Sequence, residues 1–243
     1  MIFISNFENR HLFTTGTSMK KVLLSAIILL LTLSSFAQSS ADYNYSIGIR
    51  GFSMMQLPKI LNQTNTQDYT KMYANGALIK FNDNQISYRI SGNYYRDNIE
   101  FKNTCESCQI TKGKVTDYSV KIGFEKSFNY SRVQPYFAFD LGYRSNRFTG
   151  TLSDANPTAN SVIQNADASK NGLVITPSLG LKINILSTLC IFAESNLDFN
   201  YSYEKQDISD PNGVGRTVNT YRKWEFLLNP VSAGIQFNFN SKN

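Results

Sequence analysis

Two cysteines separated by two residues, Cys105 and Cys108, form the first constellation in this 243-residue sequence that could carry chemistry. A C-x-x-C pair can exchange disulfides, but that use goes with a thioredoxin-like βαβ setting, which the surrounding residues do not provide. A structural zinc site needs four ligands, and the mature chain predicted below has no histidine to complete one. We therefore expect a local disulfide in a loop of an exported protein.

Two acidic patterns are the remaining candidates for a site. Residues 207–213 run Asp-Ile-Ser-Asp-Pro-Asn-Gly, a spacing that does not meet the EF-hand pattern for calcium, and their Asp-Pro-Asn-Gly end favours a β-turn. Glu194 and Asp198 could in principle serve as an acid and a base, but they are two of eleven charges on the same strand face, which favours salt bridges to neighbouring cations. We predict salt bridges here, and no metal or cofactor.

The sequence's one histidine, His11, precedes a secretory signal. Residues 1–18 lie upstream of a complete signal peptide, predicted over residues 19–37, with a positive start, an apolar run and small residues before the cleavage point. Cleavage between Ala37 and Gln38 leaves residues 38–243 as the mature domain, with no histidine and a net charge of +4 (21 basic and 17 acidic residues) instead of +6. Serine or water activation needs a base that titrates near neutrality, so we predict no enzyme. An exported chain without a clustered basic stripe also argues against nucleic acid.

The mature chain alternates apolar with polar or small residues, a period of two that predicts β-strands. Eight such segments occur, at residues 46–51, 77–81, 86–94, 117–125, 133–144, 173–183, 189–201 and 231–239. Short turns near Asp83, Asn129 and Ser187 join three pairs of them. The other four connections are polar and longer, at Ser53–Ala74, Ile99–Gly113, Phe148–Asn171 and Glu204–Thr220. Short turns at one end and long loops at the other are typical of an up-and-down transmembrane β-barrel, with periplasmic turns and extracellular loops.

The composition of the two strand faces decides which side meets water. One face is almost entirely aliphatic and aromatic, and an eight-stranded lumen is too narrow to hold that many rings, so we place it outside, in lipid. The other face would line the lumen, where charges have to be paired. Its eleven charged residues nearly cancel, which predicts an ion-pair network that closes the lumen: Arg50, Lys80, Arg89, Asp117, Lys121, Glu125, Asp140, Arg144, Lys182, Glu194 and Asp198.

Aromatic residues, 13% of the chain, cluster where each membrane interface is expected. The turn-side group is Tyr43, Tyr45, Phe128, Tyr130, Phe237 and Phe239, and the loop-side group is Tyr94, Tyr143, Phe199, Tyr201 and Tyr203. A change of phase between Leu228 and Val231 predicts a β-bulge at Asn229–Pro230. Pro177 lies within a predicted strand without any change of phase.

With these features the chain resembles the small outer-membrane β-barrel family of Gram-negative bacteria, of the OmpA/OmpX type and its porin-like relatives. The resemblance is strongest at the last strand, where Gly234, Phe237 and Phe239 are similar to the family's C-terminal assembly signal, although four residues follow the final aromatic. It implies integral insertion into outer-membrane lipid by the insertion machinery of that membrane.

Three functions remain open from the sequence. The first is a non-enzymatic scaffold that binds an unknown extracellular ligand or envelope protein through its loops. The second is a narrow channel for ions or small solutes, which the balanced lumen charges disfavour. The third is a secreted lipocalin-like carrier, which would be soluble after export.

Overall fold

The computed structural model describes residues 43–61, 69–83, 86–102, 109–154, 163–212 and 215–241, all within the compact unit Ala37–Asn243. They form eight antiparallel strands in which each pairs with the next and β1 pairs with β8, so the sheet closes. This is the all-β, up-and-down barrel that the alternation predicts. The strands are β1 (Tyr43–Met55), β2 (Thr70–Asp83), β3 (Ile86–Lys102), β4 (Gln109–Ser127), β5 (Val133–Asp154), β6 (Gln164–Asn184), β7 (Leu189–Ser209) and β8 (Arg216–Ser241).

The apolar face of the barrel points outward. Ile122, Leu173 and Phe226 are 59%, 60% and 66% exposed, and most other large apolar side chains in the alternating segments of the strands are exposed as well. A soluble monomer rarely exposes a continuous apolar band of this kind, whereas a closed barrel in lipid requires one, since closure leaves no backbone edge in hydrocarbon. The fold is therefore a transmembrane β-barrel. Among the described residues, no helix is long and apolar enough to cross a membrane.

Aromatic residues border this apolar band at both ends. At the loop end, Tyr94 pairs with Tyr118 across β3 and β4, and Tyr201 packs against Trp224 with ring centroids 4.9 Å apart. At the turn end, Tyr45 stacks on Phe239. Most residues of the two predicted groups are exposed here, but Tyr43 is buried and Phe199 and Tyr130 are half-buried.

The loop-end connections are shorter than predicted, because six strands continue beyond the apolar band. β3 runs on to Lys102, β5 to Asp154 and β7 to Ser209, all within segments that the alternation assigned to loops. In these extensions most outward residues are polar, with Val218 as an exception, so the regular apolar-outward period that marks the membrane segment disappears. β1 ends at Met55 and β2 begins at Thr70, so beyond the band the described residues form six strands, β3–β8.

Three irregularities interrupt the strand pairing of this sheet. The register between β7 and β8 shifts opposite Asn229–Ser232, which agrees with the predicted bulge. A second shift, not predicted, lies at Gly51 of β1, opposite Ala74 of β2, whose φ of 47° is left-handed. Pro177 keeps its pair with Phe139 on β5 but has no described pair on β7, so its missing N–H interrupts one ladder without changing the register.

Candidate functional site

The lumen holds all eleven charged residues that the sequence predicts there. Each is at most 6% exposed, and each lies within 4.0 Å of an oppositely charged group. The strand alternation explains this placement, since every second side chain of a barrel strand points inward. The charges divide into a cluster near the turn end, which we call the lower cluster, and one nearer the loops, the upper cluster.

Two glutamates organise the lower cluster. Glu125 of β4 accepts hydrogen bonds from Lys80 and from Lys182, the second at 2.7 Å. Both ammonium groups also lie over the ring of Tyr136, 5.5 and 5.3 Å from its centroid, a cation–π arrangement. These contacts join β2, β4, β5 and β6 across the lumen. The ring of Tyr136 lies over Gly180 of β6, where a Cβ would overlap it.

Glu194 is the second glutamate. Its Oε1 accepts from Arg50 at 3.1 Å, and its Oε2 accepts from Arg89 at 2.6 Å and from the Tyr136 hydroxyl at 3.2 Å. Arg89 also binds Asp140 with two parallel hydrogen bonds. One guanidinium thus joins two carboxylates, and a fork geometry of this kind gives the pair orientation as well as strength.

The upper cluster is built on Asp198 of β7. Its Oδ1 accepts from Lys121 and from the Thr176 hydroxyl, each at 2.6 Å, and its Oδ2 accepts from Arg144 at 3.2 Å. Arg144 also donates to Asp117, 3.0 Å away. Each carboxylate of the upper cluster thus has a cationic partner inside the lumen.

Little space remains between these side chains. The cavity between the two clusters has a volume of about 30 Å³, a size that can hold water. Arg50, Asp140, Glu194 and Asp198 are among the residues that border it. Charged side chains of both clusters therefore border one small cavity.

A third group of charges, which the sequence analysis missed, lies above the upper cluster. Lys170 of β6 pairs with Glu225 of β8 and lies 3.5 Å from Glu204 of β7, which is also 3.5 Å from Lys223. Burial lowers the pKa of Lys170 below the ordinary lysine value, and Glu225 partly offsets that shift. Lys170 and Glu204 belong to segments predicted as loops, whereas Lys223 and Glu225 lie between the predicted loop Glu204–Thr220 and the last predicted strand segment. Following the inward phase of β7 through Asp198 would have found Glu204.

At the loop end of the barrel, a backbone segment lies inside the sheet together with side chains of the strands. After β1 ends, residues 56–61 enter the space enclosed by the six extended strands, where Ile60 and Leu61 are buried. They pack in an apolar cluster with side chains of β3, β5 and β6: Phe101, Phe148, Leu152, Ala166 and Ala168. Above the upper cluster, the interior therefore combines this apolar cluster with the third group of charges.

Of the remaining predicted residues, the structure describes Asp207, Asp210 and Cys190. Asp207 forms a two-pronged pair with Arg216, which lowers the pKa of the Asp207 carboxyl, and Asp210 accepts from Gln164 at 2.9 Å within the predicted turn region. The described residues include no group of three or more potential metal ligands. Cys190 is buried and free. Cys105, Cys108, Ala37 and Gln38 lie outside the described residues.

The three residues of the predicted assembly signal occupy different sides of β8. Phe237 and Phe239 point outward in the turn-side girdle. Gly234 points inward, where a Cβ would overlap the carbonyl oxygen of Ile49 and lie 2.8 Å from the ring of Phe192. Gly234 therefore has a packing role in the folded barrel, which is separate from its predicted recognition by the insertion machinery.

Comparisons with known proteins give architectural likeness only. No protein-family model matches the chain, and no curated protein sequence matches it. The chain is similar to the structure of a major outer membrane protein from Thermus thermophilus, at 10% identity and a TM-score of 0.49, over 80% of this chain and 99% of that one. It is also similar to Ail, the attachment invasion locus protein of Yersinia pestis (14% identity, TM-score 0.40, 82% and 99% covered), and to the outer membrane protease OmpT from Escherichia coli (8%, 0.36, 84% and 99%). No function transfers at these identities and TM-scores.

Proposed function

We propose that this protein is an integral, non-enzymatic outer-membrane β-barrel whose closed lumen makes it a rigid scaffold, and that its extracellular part binds a ligand or an envelope protein. The observation that carries the proposal is the lumen itself. Eleven buried charges in two clusters, with a cavity of about 30 Å³ between them, support the proposal of a rigid wall and a closed lumen.

The membrane part of the proposal rests on the two faces of the sheet. An outward apolar band with aromatic borders and an inward polar network is the arrangement of outer-membrane barrels. Outer-membrane lipid and the insertion machinery that acts on the C-terminal strand are therefore the proposed partners, together with an extracellular ligand or envelope protein of unknown identity.

The absence of an enzymatic role is part of the proposal as well. A catalytic carboxylate needs a pKa close to the working pH and contact with substrate, whereas Glu194 and Asp198 are each bound to two cations inside the lumen. The sequence's single histidine, His11, lies in the predicted leader. We therefore assign the lumen carboxylates to structure.

Cell fractionation with electrophoresis before and after boiling tests the location. A folded barrel from the outer membrane should migrate anomalously until it is heated, and recovery in the soluble periplasm would instead favour a lipocalin-like carrier. Planar-bilayer recording on the purified protein tests the closed lumen. We expect no stable conductance steps, and steady ion current through the unmodified protein would replace the scaffold with the narrow channel.

A further inference from the structure

The connection after β1 occupies the mouth of the barrel in an unusual way. Ile60 and Leu61 are 2% and 6% exposed, although they belong to a connection between strands. They cover the apolar inner face of the extended sheet, whose side chains Phe101, Phe148 and Leu152 would otherwise meet water. We call this inner face the trough. The trough lies beyond the apolar band. Residues 56–61 of the same chain shield it from water.

Charged side chains of the trough bind the backbone of this connection. The N–H of Lys59 donates to Glu225 Oε1 and the N–H of Leu61 donates to Glu204 Oε1, each at 3.2 Å. Between them, the carbonyl oxygen of Lys59 accepts from Lys170 at 2.6 Å. Bonds to main-chain N–H and C=O groups, with pockets for the side chains, are how proteins bind extended peptides. The trough thus has the chemistry of a peptide site, with two carboxylates, one ammonium and an apolar floor.

The main-chain groups of the occupant bond mostly to charged side chains of the barrel. Among the described residues of the connection, one bond joins backbone to backbone, from Gln56 N to the Leu228 carbonyl of β8 at 3.3 Å, and Leu228 N donates to the Gln56 side chain. Leu61 has a φ of 53°, a left-handed conformation that is unfavourable for leucine. Strain in a segment that lies over a cluster of charged groups is typical of parts that change position.

We propose that the trough is a binding site for an extended peptide segment of another protein, one with two adjacent aliphatic side chains, and that residues 56–61 occupy it in the partner's absence. The proposal rests on the proposed function as an extracellular scaffold and specifies the partner for it. The native connection defines the ligand class, because its Lys59-Ile60-Leu61 stretch already satisfies the two carboxylates, the ammonium and the apolar floor. A partner peptide would replace those contacts one for one.

The test uses the full protein in nanodiscs and a fluorescent peptide with the sequence of residues 56–61, Gln-Leu-Pro-Lys-Ile-Leu. Substituting Ile60→Ser and Leu61→Ser together weakens the native occupant and leaves the trough intact. Since an occupied site reduces apparent affinity by the fraction of molecules that are open, the double variant should bind the peptide at least about tenfold more tightly than the unmodified protein. Anomalous migration before boiling checks that the variant is folded.

Two modified peptides serve as controls that do not depend on folding. One carries N-methyl groups at the positions of Lys59 and Leu61, which removes the donors to Glu225 and Glu204, and the other carries serine in place of both aliphatic residues. Both should bind the double variant more weakly than the unmodified peptide. Equal binding of all three, or no binding by a folded double variant, would overturn the peptide site.

Bilayer recording on the same double variant separates this inference from the function on which it rests. If the variant stays closed and fails to bind peptide, the peptide site is wrong and the closed scaffold stands. If the variant conducts, residues 56–61 block a channel in the unmodified protein, and both the closed scaffold and the peptide site are wrong.

Discussion

Arg89 reaches Asp140 across a glycine. The two residues lie on β3 and β5 in one cross-strand row, and the residue between them on β4 is Gly123. Because Gly123 has no side chain, the Asp140 carboxylate can occupy the space beside it, where Arg89 Nε lies 2.8 Å from Asp140 Oδ1. The central ion pair of the lumen therefore depends on a position that carries no charge.

Replacing Gly123 with alanine should destabilise the barrel more than its small size suggests. The new Cβ would overlap the Phe139 carbonyl oxygen and the Asp140 carboxylate, and backbone cannot yield as a flexible side chain does. We expect a loss of about 1–3 kcal/mol in the free energy of unfolding, the range for overpacked sites. Urea titration in lipid vesicles measures it. Gly51→Ala is the matched control, since a Cβ there meets no atom within 4 Å and stability should stay unchanged.

Replacing Arg89 with methionine should be among the most costly single changes in the lumen. The substitution leaves Asp140 without its two-pronged partner and removes one of the two cations on Glu194. Loss of one member of a buried pair costs about 3–5 kcal/mol, because the remaining charge stays buried and uncompensated. The same urea titration measures this loss.

Arg147→Ala is the control for that measurement. Arg147 also pairs with Asp167 at 2.6 Å, but the two side chains are 64% and 42% exposed on the outside of the extended sheet. Solvent screens such a pair, so little stability should be lost. Equal losses for Arg89→Met and Arg147→Ala would mean that the lumen network does not stabilise the barrel.

The membrane half of the fold was predictable because one simple period governs it. From Tyr118 to Phe124 on β4, every outward residue is apolar and every inward one is polar or small, so the sequence alone assigns Lys121 to the lumen. The same rule placed all eleven lumen charges. Their partners were not predictable, since pairs such as Lys121 with Asp198 join strands that are not neighbours.

The extended part of the sheet escaped prediction for a physical reason. Beyond the apolar band the outside of the barrel meets water, so outward residues such as Arg147 are polar while Phe148 and Leu152 point inward. The apolar phase is thus reversed relative to the membrane segment, and the pattern was interpreted as loop. The insertion of Ile60 and Leu61 could not be foreseen either, because it depends on β1 and β2 ending before the other strands.

Trp224 gives a direct test of which face meets lipid. It is the chain's single tryptophan, is 58% exposed, and packs on Tyr201 at the loop end of the apolar band. Lipids brominated on their acyl chains should quench its fluorescence, more strongly when bromine lies near the headgroup than at the bilayer centre, since tryptophan rings favour the interface. Trp224→Phe supplies the background emission. Absence of quenching in a folded sample would place this face in water.

Phe237 and Phe239 allow the assembly signal to be separated from ordinary girdle packing. We expect Phe237→Ala with Phe239→Ala to reduce the amount of barrel inserted in cells, because the insertion machinery is predicted to recognise the aromatic end of β8. The structure supplies a second reason for a loss, since Phe239 stacks on Tyr45 with centroids 5.7 Å apart. Quantifying heat-modifiable protein in outer-membrane fractions measures the combined effect.

Phe124→Ala resolves the two causes. Phe124 is an outward girdle residue that packs on Phe139 at 6.2 Å, a comparable ring pair far from the C-terminus. If β8 carries a signal, the Phe237 and Phe239 substitutions should lower insertion in cells well below the Phe124→Ala level, while all variants refold to similar extents into vesicles that contain no machinery. A similar deficit for both sets in cells would mean that the terminal aromatics act only through packing and lipid contact.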